Sequence, residues 1–320
     1  MILAINQKLK SFPNTERYLN GPAFQGAMKI TVTVPAYNEA KSIGRLIKGI
    51  KDVMSSNKYN YNVLVVDDGS IDNTAEVAKK SGAIVYSHPK NYGLAETFKT
   101  EIKKCLKLKS DVIVHIDADG QYLPKEIPRL LKEIKNGYDL VLGSRFKGKI
   151  EHMPLIKRFG NKAFSRVVSQ ISRIKISDAQ TGFRAFTKEV AKEVPIISNH
   201  TYTQEQIIKT VREKFRIKEV PIYFAKRNGK SKLISNPFEY AAKAWINIIR
   251  INRDYEPLKF FGSIGGFIFA IGFLIGLYLI YLHFTSGIVG HFALIMLDIL
   301  ILSFGLQIIT FGFLADMYRR

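Results

Sequence analysis

The sequence predicts an α/β protein: a largely parallel sheet covered by helices on both faces, followed by an amphipathic interface helix and a two-helix transmembrane hairpin. Three observations predict it. From residue 29 onward, apolar runs of strand length alternate with runs of helical period, the pattern of strand–helix units whose sheet is buried on both sides. Each of several apolar runs empties into a polar cluster: PAYNE at 35–39, DDGS at 67–70, DADGQ at 117–121 and GSR at 143–145. Finally, residues 260–281 and 292–314 are nearly free of charge, and each is long enough to cross a hydrocarbon layer of about 30 Å.

Taken in order, KITVTVPA starting at Lys29 is a strand, and a helix follows from Ala40 to Met54. YNVLVVDDGS is a second strand ending in acids and glycine, followed by a helix from Asn73. AIVYSHP is a third strand, with a helix through LAETFKTEIKKCLKL. DVIVHIDADGQ is a fourth, LPKEIPRLLKEIKNG another helix, and YDLVLGSRF a fifth strand. In sheets of this kind ligands bind outside the carboxyl ends of the strands, where the strand order reverses, so four polar clusters at those ends mark a site. Residues from about 150 to 235 read as mixed helices and short strands that extend the same domain, which gives a catalytic domain over 29–235. Residues 1–28 form an extension without a long apolar core, and Met28 stands directly before the first strand.

Residues 236–258 carry Trp245, Ile246, Ile248 and Ile249 beside Lys243, Arg250 and Arg253, the composition of a helix lying at a membrane interface, which a core-packed helix shares. The two spans follow within 259–320. The loop between them, HFTSGIVGH, holds no Lys or Arg, whereas Arg250, Arg253, Lys259, Arg319 and Arg320 flank the outer ends. The positive-inside rule therefore puts both termini and the α/β domain in the cytoplasm. Asp298 and Gln307 lie within the second span and are expected to face the other helix or an oligomer contact.

Net charge is +21, and nearly all of it precedes Leu258. Such a surface suits anionic partners, among them an acidic membrane face and phosphorylated substrates. The single cysteine, Cys105, excludes an internal disulfide and a cysteine-cluster metal site; its place in a helical run makes it a packing residue.

Asp117 and Asp119, separated by Ala118 at a strand end, offer two carboxylates to one hard divalent cation, and Gln121 adds a neutral oxygen. Mg²⁺ or Mn²⁺ is the cation such donors select. Alone, an Asp-X-Asp is better read as an acid-rich turn after a strand; the company of the other clusters favours the metal.

The ordered set PAYNE, VVDDGS, NYGLAETF, DADGQ, GSR, QTGFRAF, QEQ and RNGKSK resembles the family 2 glycosyltransferases of the GT-A fold. Within them it is similar to the dolichyl- and polyprenyl-phosphate branch that includes dolichyl-phosphate mannose synthase. The likeness covers about residues 29–235. It implies that Pro35, Tyr37 and Glu39 border the nucleotide base and ribose, that Asp67 contacts base or ribose, and that Val65 lines that pocket. It implies further that Asp117 and Ala118 approach ribose and pyrophosphate, with Asp117, Asp119 and Gln121 around the metal. Arg145 would meet a donor or acceptor phosphate, Arg158 the lipid phosphate, and Arg184 a phosphate or the protein frame. Arg227, Ser231 and Lys232 would cover the donor pyrophosphate, and Glu205 would stand near the sugar pocket, orienting sugar hydroxyls or holding the fold. Asp119, Arg145 and Arg158 are then the residues expected to carry catalysis.

The implied reaction moves a hexose or N-acetylhexosamine from GDP-mannose, UDP-glucose or UDP-N-acetylglucosamine to a polyprenyl phosphate, with inversion at the anomeric carbon. The expected partners are a nucleotide sugar, the lipid phosphate, the bilayer and a second copy through the transmembrane helices; nucleic acid is not expected. KIEHMPLIKRFGNKAF lacks a tryptophan common in mannose synthases, which leaves the sugar open. Two other readings are a family 2 transferase acting on a hydroxyl, which would need a general base such as Glu205, and a nucleotide-sugar-binding scaffold without catalysis.

Overall fold

The computed structural model describes residues 28–198, 202–226, 246, 248–287 and 292–318. Residues 1–27 of the expected N-terminal extension, residues 236–245 and 247 of the expected interface helix, and Arg227, Ser231 and Lys232 lie outside them. The chain forms two compact units, the first ending at Ser235 and the second beginning at Asn236.

The first unit is built on seven strands: β1 (Lys29–Ala36), β2 (Asn60–Asp67), β3 (Ile84–Ser87), β4 (Val112–His115), β5 (Leu140–Ile150), β6 (Arg184–Thr187) and β7 (Ile217–Phe224). The helices are α1 (Ala40–Ser56), α2 (Thr74–Lys80), α3 (Leu94–Lys107), α4 (Ile127–Lys135), α5 (Leu155–Ser172), α6 (Lys188–Glu193) and α7 (Thr203–Arg212). The strand order is β3-β2-β1-β4-β6-β5-β7. β1 pairs in parallel with β2 on one side and β4 on the other, so the order reverses beside β1. Ligand crevices form at such reversals, which here fall at the strand ends that carry PAYNE and DADGQ.

The sheet differs from the expected largely parallel one in a single respect. QTGFRAF supplies β6, which runs antiparallel between β4 and β5. With only four residues, Arg184–Thr187, it is too short to announce itself by alternation. β5 continues through a bulge between Ser144 and Lys149. At Gly148 a Cβ would stand 1.9 Å from the carbonyl oxygen of Ile222, so glycine is the residue that lets β7 close on the bulge. At the edges of the sheet, β3 has four residues, and β7 carries Pro221, whose carbonyl accepts from Arg129 at 2.6 Å.

The two faces of the sheet are unlike. On one, Ile30, Val32, Val34, Val63, Val65, Val112, Val114 and Ile116 pack into a single core with α1 and α4. α1 buries Ile43, Leu46, Ile47, Ile50 and Met54, and α4 buries Ile127, Leu130, Leu131 and Ile134, each set at helical spacing. The opposite face carries Thr31, Thr33 and His115, all fully buried. Hydrogen bonds compensate this polarity: Thr31 with Ser110 at 2.7 Å, and Thr33 and His115 with Glu101 of α3. Cys105 is buried on α3, as expected of a packing residue, and burial pushes its thiol pKa well up.

The second unit holds α8 (Pro257–Ser286) and α9 (Phe292–Tyr318), of 30 and 27 residues. Both are longer than the apolar cores expected from sequence, and both are long and apolar enough to cross a bilayer. Residues 248–255 before them are helical. The two helices pack through glycine: a Cβ on Gly265 would lie 2.7 Å from the Gly305 carbonyl oxygen, and one on Gly305 2.7 Å from the Phe269 backbone nitrogen. Asp298 is buried in this seam, where a Cβ on Gly276 would stand 3.0 Å from its Oδ2. Gln307 is exposed and so does not share the seam.

Gly305→Leu is expected to lower the thermal unfolding temperature of the detergent-solubilised protein, with an overpacking cost of about 1–3 kcal/mol. Gly266→Leu, on the same helix as Gly265 but with nothing within 4 Å of its Cβ position, should leave it unchanged. Circular dichroism melts of the two variants check the difference.

Candidate active site

The site is assembled from chain segments leaving the carboxyl ends of β1, β2 and β4. Ala36 stands opposite Asp67 in the β1–β2 register, so PAYNE and DDGS emerge side by side. Asn38 takes a positive φ of 55° and fastens the two: its N–H donates to Ser70 Oγ at 2.8 Å, and its Oδ1 accepts from the Ile71 N–H at 2.9 Å. Tyr37 is left 40% exposed at the crevice. Glu39 accepts from Ser42 Oγ at 2.8 Å as the chain turns into α1. Asp67 is buried and accepts from the Ser70 N–H at 3.2 Å.

Its neighbour Asp68 was not singled out in the sequence, yet it organises the next loop. Its carboxylate accepts from the backbone N–H groups of Tyr92 and Gly93 at 2.9 and 2.8 Å and meets His88 Nδ1 at 2.7 Å. His88 Nε2 in turn meets Thr100 Oγ1 at 3.0 Å. NYG is thereby drawn to the start of α3. Gly69, at φ +70°, lies under this loop, where a Cβ would come within 2.4 Å of the Lys90 backbone.

At the end of β4, His115 and Asp117 share one face and Ile116 and Ala118 the other, as extended chain requires. Asp119 Oδ1 accepts from the Gln121 N–H at 3.0 Å, and the Gln121 side chain donates to the Ala225 carbonyl at 3.2 Å. Asp117 is 32% exposed through its side chain and lies against Gly182, where a Cβ would fall 2.4 Å from its Oδ2. Gly182 is held by Tyr122, whose hydroxyl accepts from the Gly182 N–H at 3.1 Å. The donor set fits a hard divalent cation: two carboxylates and an amide oxygen, with no thiolate. No cluster of three or more His, Cys, Asp or Glu ligands occurs among the described residues, so a cation here would complete its shell with water and substrate phosphate, as Mg²⁺ and Mn²⁺ commonly do.

Behind Asp117 lies a buried polar network that the sequence reading missed. His115 Nδ1 meets Glu101 Oε2 at 2.7 Å, and its Nε2 meets the Tyr202 hydroxyl at 2.8 Å and Asp117 Oδ1 at 3.6 Å. Burial opposes charge on the imidazole, but Glu101 and Asp117 outweigh it and push the pKa up to about 9. The available signal was Glu101 itself, an acid three residues after Phe98 and four before Cys105 on the apolar stripe of α3.

Two arginines are enclosed: Arg145, expected at phosphate, and Arg184, expected at phosphate or in the protein frame. Arg145 is 4% exposed, and its Nε and Nη2 each donate to the Asp178 carboxylate at 2.7 Å. Asp178 is itself held by Glu219 of β7, which accepts from the Ser177 and Asp178 N–H groups at 2.9 and 3.0 Å. Arg184 is fully buried, bonded to the Thr181 and Thr203 carbonyls and to Gln206, with its guanidinium 5.1 Å from the Tyr202 ring centre. Both act as struts because each has carbonyls or a carboxylate around it in place of solvent. Val65, expected to line the nucleotide pocket, and Ala118, expected to approach ribose and pyrophosphate, both belong to the apolar core. Pro35 is likewise buried, opposite Val66. Glu205 accepts from the Ile197 and Ser198 N–H groups at 2.9 Å and pairs with Lys209 at 2.7 Å, which holds the fold. Arg158 is exposed in the first turn of α5.

Comparison with known proteins decides the family. The family model described as glycosyl transferase family 2 matches residues 31–195, which span β1 to α6 and every strand-end cluster above. This chain is a family 2 glycosyltransferase. It is 31% identical to a dolichyl-phosphate hexose transferase of Haloferax volcanii over 69% of this chain and 93% of the relative. It is 32% identical to a UDP-N-acetylglucosamine–dolichyl-phosphate N-acetylglucosaminyltransferase of Methanococcus voltae, over 60% and 84%, and to a dolichol-phosphate mannosyltransferase of Pyrococcus furiosus, over 77% and 72%. Among solved structures, glucosyl-3-phosphoglycerate synthase of Mycobacterium tuberculosis in complex with Mn²⁺, UDP and glucosyl-3-phosphoglycerate aligns with a TM-score of 0.56 at 18% identity, covering 70% of this chain and 79% of that one. The likeness is one of fold, and the fold of this family 2 enzyme is GT-A.

Removing the Arg145 side chain strands the Asp178 carboxylate in the interior. Arg145→Ala is expected to cost about 3–5 kcal/mol in chemical unfolding, whereas an arginine serving phosphate alone would leave stability untouched. His115 gives a second prediction. Its folded pKa exceeds the ordinary value of 6.5, so the stability it contributes is complete below pH 6.5 and is lost as pH rises through about 9. In chelator, the melting temperature of the parent protein should fall across that window relative to His115→Phe, and parallel pH series measure the difference.

Proposed function

We propose that this family 2 glycosyltransferase moves a hexose or N-acetylhexosamine from a nucleoside diphosphate sugar to a polyprenyl phosphate of the dolichyl type, at a membrane surface, with inversion. The observation that carries it is the pair Asp117 and Asp119 at the end of β4, beside the strand-order reversal, in a chain whose relatives are named as dolichyl-phosphate transferases for hexose, N-acetylglucosamine and mannose. Two helices long and apolar enough to cross a bilayer support an acceptor confined to lipid, because anchoring raises the effective concentration of the two reactants. With both outer ends rich in Lys and Arg, the catalytic unit and both termini are assigned to the cytoplasmic side.

Asp119, Asp117 and Gln121 are the residues that would hold Mg²⁺ or Mn²⁺. A cation held there would supply positive charge to the diphosphate and make it a better leaving group. Tyr37, Glu39 and Asp67 border the base and ribose, with Pro35, Val65 and Ala118 shaping the floor through backbone. Arg158 holds the acceptor phosphate, since its fork grips phosphate oxygens in pairs. Arg227 and Lys232 cover the donor diphosphate. Exposed Leu155, Ile156 and Phe159 surround Arg158 on α5, a mixture of apolar and cationic groups suited to headgroup level. The attacking phosphate oxygen is already ionised near neutral pH. A general base is therefore unnecessary, and Glu205, spent on backbone N–H groups and Lys209, is not asked to be one.

The test is product analysis with membranes containing the protein, Mg²⁺ or Mn²⁺, polyprenyl phosphate, and radiolabelled GDP-mannose, UDP-glucose or UDP-N-acetylglucosamine in parallel. One donor should give a metal-dependent, acid-labile glycolipid, with Asp119→Ala reducing it at least about 100-fold, as removal of a principal electrostatic stabiliser does. Transfer from a donor to a glycan hydroxyl, with none to lipid phosphate, would reject the acceptor assignment.

A further inference from the structure

We propose that His115, held from behind by Glu101 and Tyr202, is a positioning residue that fixes the Asp117 carboxylate in the orientation the donor diphosphate and its cation require. The inference rests on the reading of Asp117 as part of the donor site.

Three observations carry it. First, His115 and Asp117 stand two residues apart on one face of the β4 chain, so the ring lies directly behind the carboxylate; Nε2 is 3.6 Å from Asp117 Oδ1. Second, the ring cannot turn away. Nδ1 is taken by Glu101 Oε2 at 2.7 Å, Nε2 is 2.8 Å from the Tyr202 hydroxyl, and Phe98 meets the ring edge-on with centroids 5.2 Å apart. Tyr202 is pinned in its turn, stacked on Phe98 at 4.0 Å with 18° between the ring planes. Third, Asp117 is closed off on its other side by Gly182, where a Cβ would stand 2.4 Å from Oδ2. Histidine and glycine backbone thus flank the carboxylate, whose side chain stays 32% exposed.

A purely structural role accounts poorly for this arrangement. His115 and Glu101 are both fully buried, and Glu101 Oε1 has no hydrogen-bond partner. Taking such a pair out of water is expensive, and a well-packed apolar pair of the same volume is often as stable or more so. Thr33 Oγ1, at 3.2 Å, is the only further hydrogen bond to Glu101 Oε2 among the described residues. Groups standing behind a metal-binding carboxylate orient it, and their loss typically weakens metal affinity about 10- to 100-fold.

The experiment uses the full-length protein in detergent and four variants: His115→Phe, His115→Gln, Glu101→Gln and, as reference, Asp117→Asn. Mn²⁺ binding is read from the electron paramagnetic resonance signal of free Mn²⁺, with and without UDP or GDP. KM and kcat for the productive nucleotide sugar and melting temperatures are measured alongside. His115→Phe should fold, bind Mn²⁺ with nucleotide about 10- to 100-fold more weakly, and raise KM for donor more than it lowers kcat. His115→Gln, which keeps a side-chain N–H on this face, should recover part of the loss, with Glu101→Gln also weaker than the parent. Parent-like Mn²⁺ affinity and donor KM in His115→Phe, with only the melting temperature changed, would overturn the proposal. If His115→Phe does not fold, parent-like Mn²⁺ affinity in both His115→Gln and Glu101→Gln overturns it instead. A parent protein that binds Mn²⁺ with neither nucleotide would reject the donor-site reading itself and the inference with it. Loss in Asp117→Asn alone would leave that reading standing and reject only the role of His115.

Discussion

Everything chemical in this molecule depends on the pairing of β1 with two parallel neighbours at once. Because β2 and β4 both run alongside it in fixed register, the three chains end together and their polar sequels leave at one edge. Parallel strands buried on both faces offer no other exit for acids and amides. The reversal of strand order beside β1 then leaves the space between the departing chains unfilled by backbone.

The rest of the first unit holds that edge in shape. Asp68 ties the NYG loop to the DDGS turn; Asn38 ties PAYNE to the same turn. Glu219, Asp178 and Arg145 form a second chain of bonds on the far side, linking β7 to β5 through the Ser177–Asp178 turn. Asp68, Glu219, Asp178 and Arg145 are buried charges bonded to charges or to backbone, where geometry is rigid because an unpaired group would be costly. The apolar core lies against one face of the sheet and the buried polar layer against the other, so stiffness near the crevice comes from hydrogen bonds as well as from packing.

The sequence made the strand–helix alternation legible, since β1, β2, β4 and the helices between them follow hydrophobic periodicity that needs no partner to be read. The four strand-end clusters were legible for the same reason. What stayed hidden depended on partners distant in the chain. Arg145 reads as a phosphate ligand, and Arg184 as a phosphate ligand or a frame residue, because arginine suits both; only the fold brings Asp178 to one and the Thr181 and Thr203 carbonyls to the other. β6 was hidden by its length and Asp68 by its neighbour. His115 went unremarked inside an otherwise apolar run, although an acid on the buried stripe of a neighbouring helix was a sign that something polar awaited it.

The two margins of the sheet bear on how such molecules live beside one another. An open strand edge is a template on which another chain can add itself and begin aggregation. Here one margin is a four-residue strand, and the other is interrupted by Pro221, which lacks the N–H a ladder needs and whose carbonyl is already claimed by Arg129. A protein confined to a surface meets its own copies far more often than one free in solution. Sheets that refuse to zip together are what keep such crowding from turning into deposits.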